Sequence, residues 1–396
     1  MLKMAGDQIT RGGVWNRFSW LAEELPGFGV KGSQVKVLVQ PADFYQELLT
    51  RSRTSQRRIV LSSLYLGTGN KEKALLQGIQ ENVDGNKNLR INVLLDWCRG
   101  TRMTGQESSA SLLANLVSHL RGLYKRFMPA RWNETIGLQH CKIYIFDDSV
   151  IISGANLSND YFTNRQDRYI LVENCEKLAD FYDKFVQKIS EFSLQMNEEQ
   201  TFKMSEDFPS HPFESSLAEF KTESNNIIKA FLEEEKIKNK ISEEDLNNFD
   251  TWIFPTVQMG PLDVTQDSEV TVSILRSGEQ DGRFVFGSGY FNLTQEYLHE
   301  ILHKSKSNFD LIMAHPKANG FLGARGAAGG IPHAYTHIAS TFYTLVGDRD
   351  MQHRIRMHEY QRDGWTFHAK GLWYYPPQSS LPCMTMVGSP NFGYRS

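Results

Sequence analysis

The sequence predicts an α/β protein made of two related halves, each a β-sheet covered by helices, with the functional site where the halves meet. Three observations carry this. The stretch LQHCKIYIFDDSVIISGAN, starting at Leu138, places His140 and Lys142 at the head of a strongly apolar strand. Side chains alternate along a strand, so the two point to the same side and ask for a polar cavity there. The stretch TFHAKGLWYY repeats the spacing with His368 and Lys370. Each copy runs into a turn of small residues ending in Asn: Ser153-Gly154-Ala155-Asn156 in the first, Gly388-Ser389-Pro390-Asn391 in the second. Upstream, RRIVLSSLYLGTG resembles RFVFGSGYFNLT, each a strand closing on Ser-x-Tyr (Ser63 and Tyr65, Ser288 and Tyr290). Self-similarity on this scale marks a duplicated unit.

The elements follow in order. Residues 1–34 form a lead-in. The first half, 35–190, alternates strand-like runs at 35–39, 59–64, 90–95, 142–146 and 169–172 with helix-like runs at 44–52 and 175–192, the order of an α/β unit. Residues 191–251 are rich in Glu, Lys and Ser and read as a solvated connector with one exposed helix. The second half, 252–396, repeats the order with strand-like runs at 270–275, 284–286 and 309–314 and then the strand that carries His368.

Composition bounds the rest. A chain of 396 residues with 40% hydrophobic and 12% aromatic content can build sizeable cores in two or three domains. The net charge of −3 singles out no partner class, and no apolar run approaches the roughly 20 residues of a membrane-spanning helix. Cys98, Cys141, Cys175 and Cys383 are scattered without a C-x-x-C pair, so neither a disulfide framework nor a zinc site is expected. Two local stretches stand out. Residues 316–335 are dense in glycine, fitting a loop where backbone approaches a ligand as well as a plain surface loop. Residues 119–132 interleave Arg121, Lys125, Arg126 and Arg131 with Tyr124, Phe127 and Trp132, a mixture that suits a lipid headgroup boundary, a nucleic acid or an ordinary surface helix.

Two histidines from two related half-sites, each with a lysine two residues on, are the parts that phosphoryl or phosphatidyl transfer through a covalent intermediate needs. One imidazole attacks phosphorus; the other protonates the leaving oxygen and then activates the acceptor. The lysines and turn asparagines would hold the non-bridging oxygens. No metal and no cofactor is expected for such a site.

The pattern His140-x-Lys142 with Asp147 five residues on, paired with His368-x-Lys370, resembles the motif of the phospholipase D superfamily. The resemblance implies two pseudo-symmetric α/β halves, each with a central mixed sheet, and a phospho-histidine mechanism at their interface. The strings SLYLGTG, NETIGLQHCKIYIFD, SGANLSNDYFTNRQDRY, TWIFP, GYFNLTQ, GWTFHAKGLW and GSPNFGYRS look more narrowly like the eukaryotic phosphatidylglycerophosphate synthases. That resemblance implies transfer of the phosphatidyl group from CDP-diacylglycerol to glycerol 3-phosphate, peripheral association with an anionic mitochondrial membrane at the matrix face, and no nucleic acid partner. Under it His140 is the nucleophile, with Lys142 and Asn156 on the phosphate; His368 is the acid and base, supported by Lys370, Ser389 and Asn391. Asp167 falls where the superfamily places a carboxylate that orients an imidazole, and an exposed Asp paired with Arg165 or Arg168 is the alternative. Arg99, Arg102 and Arg325 are candidates for the acceptor's phosphate, and residues 119–132 for the lipid surface. Asp147 belongs to the catalytic motif, but Tyr375 stands at its place in the second copy, so bonding to neighbouring backbone is the preferred role. The chain ends at Ser396, soon after Asn391, so a second orienting carboxylate and a targeting segment are expected outside this sequence. A phospholipase D-type hydrolase of lipid or nucleic acid, and a non-catalytic membrane scaffold, remain the rival classes.

Overall fold

A computed structural model describes residues 11–117, 124–128, 139–197, 201–212 and 214–393. In the first half, strands β1 (Val35–Leu38), β2 (Arg58–Ser63), β3 (Arg90–Asp96), β4 (Tyr124–Met128), β5 (Ile143–Phe146), β6 (Ser149–Ser153), β7 (Tyr169–Val172), β8 (Leu194–Met196) and β9 (Phe202–Lys203) form one sheet. Its order is β9-β8-β4-β3-β2-β5-β6-β7-β1. In the second half, β10 (Arg283–Ser288), β11 (Asn308–Ala314), β12 (Ile355–Tyr360), β13 (Lys370–Tyr375) and β14 (Met384–Met386) form another, in the order β12-β11-β10-β13-β14. The duplication is visible strand for strand. The block β4-β3-β2-β5-β6 matches it in order, and in both blocks three strands run parallel while the two following His-x-Lys are antiparallel.

The strands that enter the middle of each sheet are apolar on both faces, as burial by helices on either side demands. All six residues from Ile59 to Leu64 are buried, as are Ile143–Phe146. One face of the first sheet packs on helices Pro41–Thr54 and Asn70–Gly85 through Phe44, Leu48, Leu75 and Ile79. The other packs on Glu176–Glu191 through Leu178, Val186 and Ile189. In the second half Phe284, Phe309 and Tyr374 stack across neighbouring strands.

Three sequence expectations are corrected here. Residues 270–275 lie in a helix, Gln266–Arg276, not a strand: Val270, Thr271, Ile274 and Leu275 are buried at the spacing of one helical face, and this period outweighs the β-branched composition of the run. The connector is not merely solvated. Its helix Leu217–Lys238 buries Phe220, Ile228, Phe231 and Leu232, with Phe231 against Phe181 and Phe185 of the first half, and β8 and β9 extend the first sheet. Within the basic, aromatic stretch 119–132, Tyr124–Met128 is an interior strand paired on both sides, so that portion is not a surface helix; residues 119–123 and 129–132 lie outside the described residues. The lead-in does structural work as well: Phe18, Leu21 and Leu25 join the core of the second half, and Phe28–Val30 pairs with Thr251–Ile253.

Candidate active site

The head of β5 is fixed from its neighbours. Asp96, at the end of β3, accepts the Gln139 amide at 3.1 Å through one carboxylate oxygen and caps the helix Trp97–Thr101 through the Arg99 amide at 2.9 Å with the other. Gln139 Nε2 donates to Ser62 Oγ of β2 at 2.7 Å. His140 is thereby held at the strand entry, and the buried Lys142 donates its ammonium to the His140 carbonyl at 2.8 Å. The second half repeats the device: buried Lys370 donates to the His368 carbonyl. The strand-end serines repeat too, Ser63 Oγ donating to the Tyr65 carbonyl and Ser288 Oγ to the Tyr290 carbonyl.

What joins the halves is a short parallel pairing of Arg165–Gln166 with Thr366–Phe367, extended by the His368 amide donating to the Gln166 carbonyl at 2.8 Å. It delivers Asp167 of the first half to His368 of the second, Oδ2 to Nδ1 at 2.6 Å. Asp167 is buried, and its Oδ1 accepts the Arg168 amide at 2.8 Å, so it is not an exposed residue of a surface ion pair. The Lys370 ammonium stands 2.7 Å from the same Nδ1. When the carboxylate accepts the Nδ1 proton, Lys370 remains on the His368 carbonyl, and Nε2 is the nitrogen free for chemistry. Tyr161 Oη lies 3.3 Å from Nε2 and also accepts from Asn156 Nδ2 at 3.2 Å. The rings of Tyr161 and Tyr290 meet the imidazole edge-on, with centroids 5.1 and 5.8 Å away.

Two glycines make this approach possible. A Cβ on Gly154 would fall 2.7 Å from Asp167 Oδ1 and 3.0 Å from Lys370 Cδ; one on Gly289 would fall 2.9 Å from the Phe367 carbonyl oxygen. Real side chains do not fit at such distances.

The electrostatics are those of a buried cluster of basic groups. Burial pushes His140 well below the usual histidine range, and the charges of Lys142, Lys370, His368 and Arg99 push it the same way. Lys370 and His368 belong to the other half, whose approach is also seen where Lys370 Cδ would lie 3.0 Å from a Cβ on Gly154. His368 is likewise lowered, by burial first and then by Lys370, Arg165 and Lys142. Burial also lowers Lys142 well below its ordinary value and Lys370 to about 7. Asp167, the carboxylate in contact with His368, is raised to about 6 by burial, against the pull of Lys370. The charged forms of the lysines and histidines, suppressed in this way, are favoured again when an anion enters. Asn156 Oδ1 and Asn391 Oδ1, at matching places in the two copies, are buried without a hydrogen-bond partner. With the Asn156 amide turned over, the Tyr161 hydroxyl would bond its oxygen and Nδ2 would be left as an unpaired donor.

The other sequence candidates divide. The charge of Arg99 reaches His140, whereas Arg102 and Arg325 are exposed. Ser389 is half-buried, and the Asn391 carbonyl accepts from Ser288 Oγ at 3.0 Å. Asp147 sits at the far end of β5 from His140, where its carboxylate accepts the amides of Gln56, Arg57 and Arg58 at 2.7–3.1 Å. These are contacts of the backbone-bonding kind, made away from His140. In the second copy Arg283 lies over the Tyr375 ring at 4.2 Å instead. Tyr161 was not singled out from sequence, and Arg165 only as a surface partner of Asp167; among the two Tyr and two Arg of SNDYFTNRQDRY no spacing marks them. Among the described residues no cluster of His, Cys, Asp and Glu is arranged to hold a metal ion.

Comparison with known proteins agrees with this geometry. The chain is 40% identical over 424 residues to the mitochondrial CDP-diacylglycerol–glycerol-3-phosphate 3-phosphatidyltransferase of Gallus gallus, spanning 96% of this chain and 75% of that one. The chain belongs to the CDP-diacylglycerol–glycerol-3-phosphate 3-phosphatidyltransferase family. The human family member is 39% identical over 96% of this chain, and that of Saccharomyces pastorianus 32% identical over 93%. No protein-family model matches the chain. Among solved structures it is similar to a phosphatidylserine synthase from Haemophilus influenzae, with a TM-score of 0.67 over 91% of this chain and 80% of the other at 19% identity, which shows a shared fold.

Proposed function

We propose that this phosphatidyltransferase moves the phosphatidyl group of CDP-diacylglycerol to glycerol 3-phosphate, giving phosphatidylglycerophosphate and CMP, through a phosphatidyl-histidine. The observation that carries the mechanism is the pairing of two unlike histidines in one buried cationic cluster: His368 bonded to Asp167 at 2.6 Å, and His140 with no carboxylate bonded to it among the described residues. His140, held neutral by burial and by its cationic neighbours, has a free electron pair for phosphorus. As its nitrogen bonds the phosphatidyl phosphorus, the bond from that phosphorus to the CMP oxygen breaks, and His368 Nε2–H gives its proton to the departing CMP. Asp167 stabilises the doubly protonated imidazole before that transfer and holds Nδ1–H afterwards. The glycerol 3-phosphate hydroxyl then returns a proton to Nε2 as its oxygen attacks phosphorus and displaces His140. Lys142, Lys370, Asn156 and Asn391 bind the non-bridging oxygens, and Arg99 is the candidate for the acceptor's phosphate. Asp147 takes no part in these steps.

The relatives' names support a mitochondrial location, and we place the chain at the matrix face of the inner membrane, bound peripherally to an anionic surface. No helix among the described residues is long and apolar enough to cross a membrane.

The test is incubation with labelled glycerol 3-phosphate and CDP-diacylglycerol in mixed micelles, beside His140→Ala and His368→Ala. Label should enter lipid only with the unmutated protein. Because CMP leaves readily even without an acid, His368→Ala should accumulate a protein-bound, acid-labile phosphatidyl group when the lipid carries the label, and His140→Ala should not. Cleavage to phosphatidic acid without label uptake would overturn the transferase reading in favour of a hydrolase, and consumption by neither mutant nor parent would leave only a scaffold.

A further inference from the structure

We infer that helix Ile331–Gly347 and the glycine-rich loop before it form the surface that docks on an anionic lipid bilayer and admits the diacylglycerol substrate; this rests on the proposed function above. The helix IPHAYTHIASTFYTLVG contains no Asp, Glu, Lys or Arg in 17 residues. Residues 316–330 add only Lys317 and Arg325, both exposed, so 316–347 is a carboxylate-free, net cationic segment in a chain that otherwise carries 46 Asp and Glu. A surface helix ordinarily carries charged residues on its outer face; this one carries His333, His337, Ser340, Thr341 and Thr344 there instead. Here one face alone is covered: Pro332, Ala339, Phe342 and Val346 are buried, with Phe342 against Phe291 at 5.5 Å. The opposite face is open and polar, while apolar side chains are exposed at its edges: Tyr343 is 57% and Ile338 36% exposed on the two flanks of the buried face, and Leu322 on the loop is 59% exposed. Apolar side chains beside isolated cations match an anionic headgroup layer over hydrocarbon, in both charge and polarity.

Continuity with the site decides the assignment. Phe321, next to Leu322, and Tyr335, one turn into the helix, both pack on the Tyr290 ring, at 5.5 and 5.4 Å, and Tyr290 abuts the His368 imidazole. A Cβ on Gly320 would lie 3.2 Å from Tyr290 Oη, so the loop runs close against the ring that abuts His368. A lipid drawn from a bilayer at this surface has its phosphate within one aromatic layer of the two histidines while its acyl chains stay in the membrane.

The test is sedimentation with phosphatidylcholine vesicles with and without phosphatidylglycerol, free of substrate, for the parent, Leu322→Asp/Ile338→Asp/Tyr343→Asp, Lys317→Glu/Arg325→Glu and Ile237→Asp. Ile237 is the control, an exposed apolar residue on the connector helix, 76% exposed. The triple variant should lower the bound-to-free ratio by at least about tenfold. The charge pair should remove the preference for phosphatidylglycerol, and Ile237→Asp should change nothing. For the triple variant, turnover of vesicle-borne CDP-diacylglycerol should fall with binding, while turnover of a short-chain analogue in detergent micelles stays level. A triple variant with unchanged melting temperature that still binds like the parent, or a parent that ignores the vesicles, overturns the docking surface. Normal vesicle results with no turnover of CDP-diacylglycerol by any version would instead overturn the proposed function and leave the surface standing.

Discussion

Replacing Asp167 by Asn separates activity from stability. In the reaction proposed here, the carboxylate 2.6 Å from His368 Nδ1 faces a charge that forms only when Nε2 is also protonated. With charge centres roughly 4 Å apart and an effective dielectric of about 20, that attraction amounts to about 4 kcal/mol, or about a thousandfold in rate. An amide keeps the shape but loses this term and can present its NH2 to Nδ1, turning the wrong nitrogen to the substrate. Stability should move the other way. Burial raises Asp167 from 3.8 to about 6, so the folded state holds its proton more tightly than the unfolded chain. The linkage sign is therefore a loss of stability as pH rises from about 4 to about 6, reaching roughly 3 kcal/mol when the group is fully ionised. Asp167→Asn should melt no lower than the parent at neutral pH while transfer of labelled glycerol 3-phosphate falls by roughly 100- to 10,000-fold. An intact fold with activity within about tenfold of the parent would refute the orienting role. So would a loss explained wholly by unfolding in a circular dichroism melt.

Other outcomes follow from the same geometry. Gly154→Ala drives a methyl group into Asp167 and Lys370, 2.7 and 3.0 Å away, and should cut kcat at least about tenfold, while Gly85→Ala, with nothing within 4 Å, leaves it unchanged. Equal rates for the two would remove the packing argument. Asp147→Ala strands the amides of Gln56, Arg57 and Arg58 and should cost about 1–3 kcal/mol in a denaturant titration with kcat per folded molecule preserved; a collapse of kcat in a fully folded variant would restore Asp147 to the chemistry. For pH, kcat/KM should decline below about 6 as Asp167 takes a proton and above about 7 as Lys370 loses one, whereas the alkaline limb of kcat moves upward because bound phosphate raises Lys370. A kcat/KM profile flat across both values would count against this pair.

The sequence alone determined that the chain is duplicated, and it did so through local chemistry. His-x-Lys on one side of an apolar strand and Ser-x-Tyr at a strand end are patterns of neighbours, set by the two-residue period of a strand, and they survive without knowledge of the fold. The same locality explains the misreadings. Val270 to Leu275 looks like a strand by composition and becomes a helix because its buried face repeats every three to four residues against the second core. The tertiary structure decided what depends on contacts between distant segments. Asp167 and His368 meet because two residues of one half pair with two of the other, and nothing near either residue in the chain encodes that meeting. Nor could the sequence say which amides Asp147 bonds, or that Tyr161 bridges Asn156 and His368. Burial is likewise a property of the assembled core, and it is burial that brings Lys370 down to about 7 and Asp167 up to about 6, turning ordinary side chains into a site that waits for an anion.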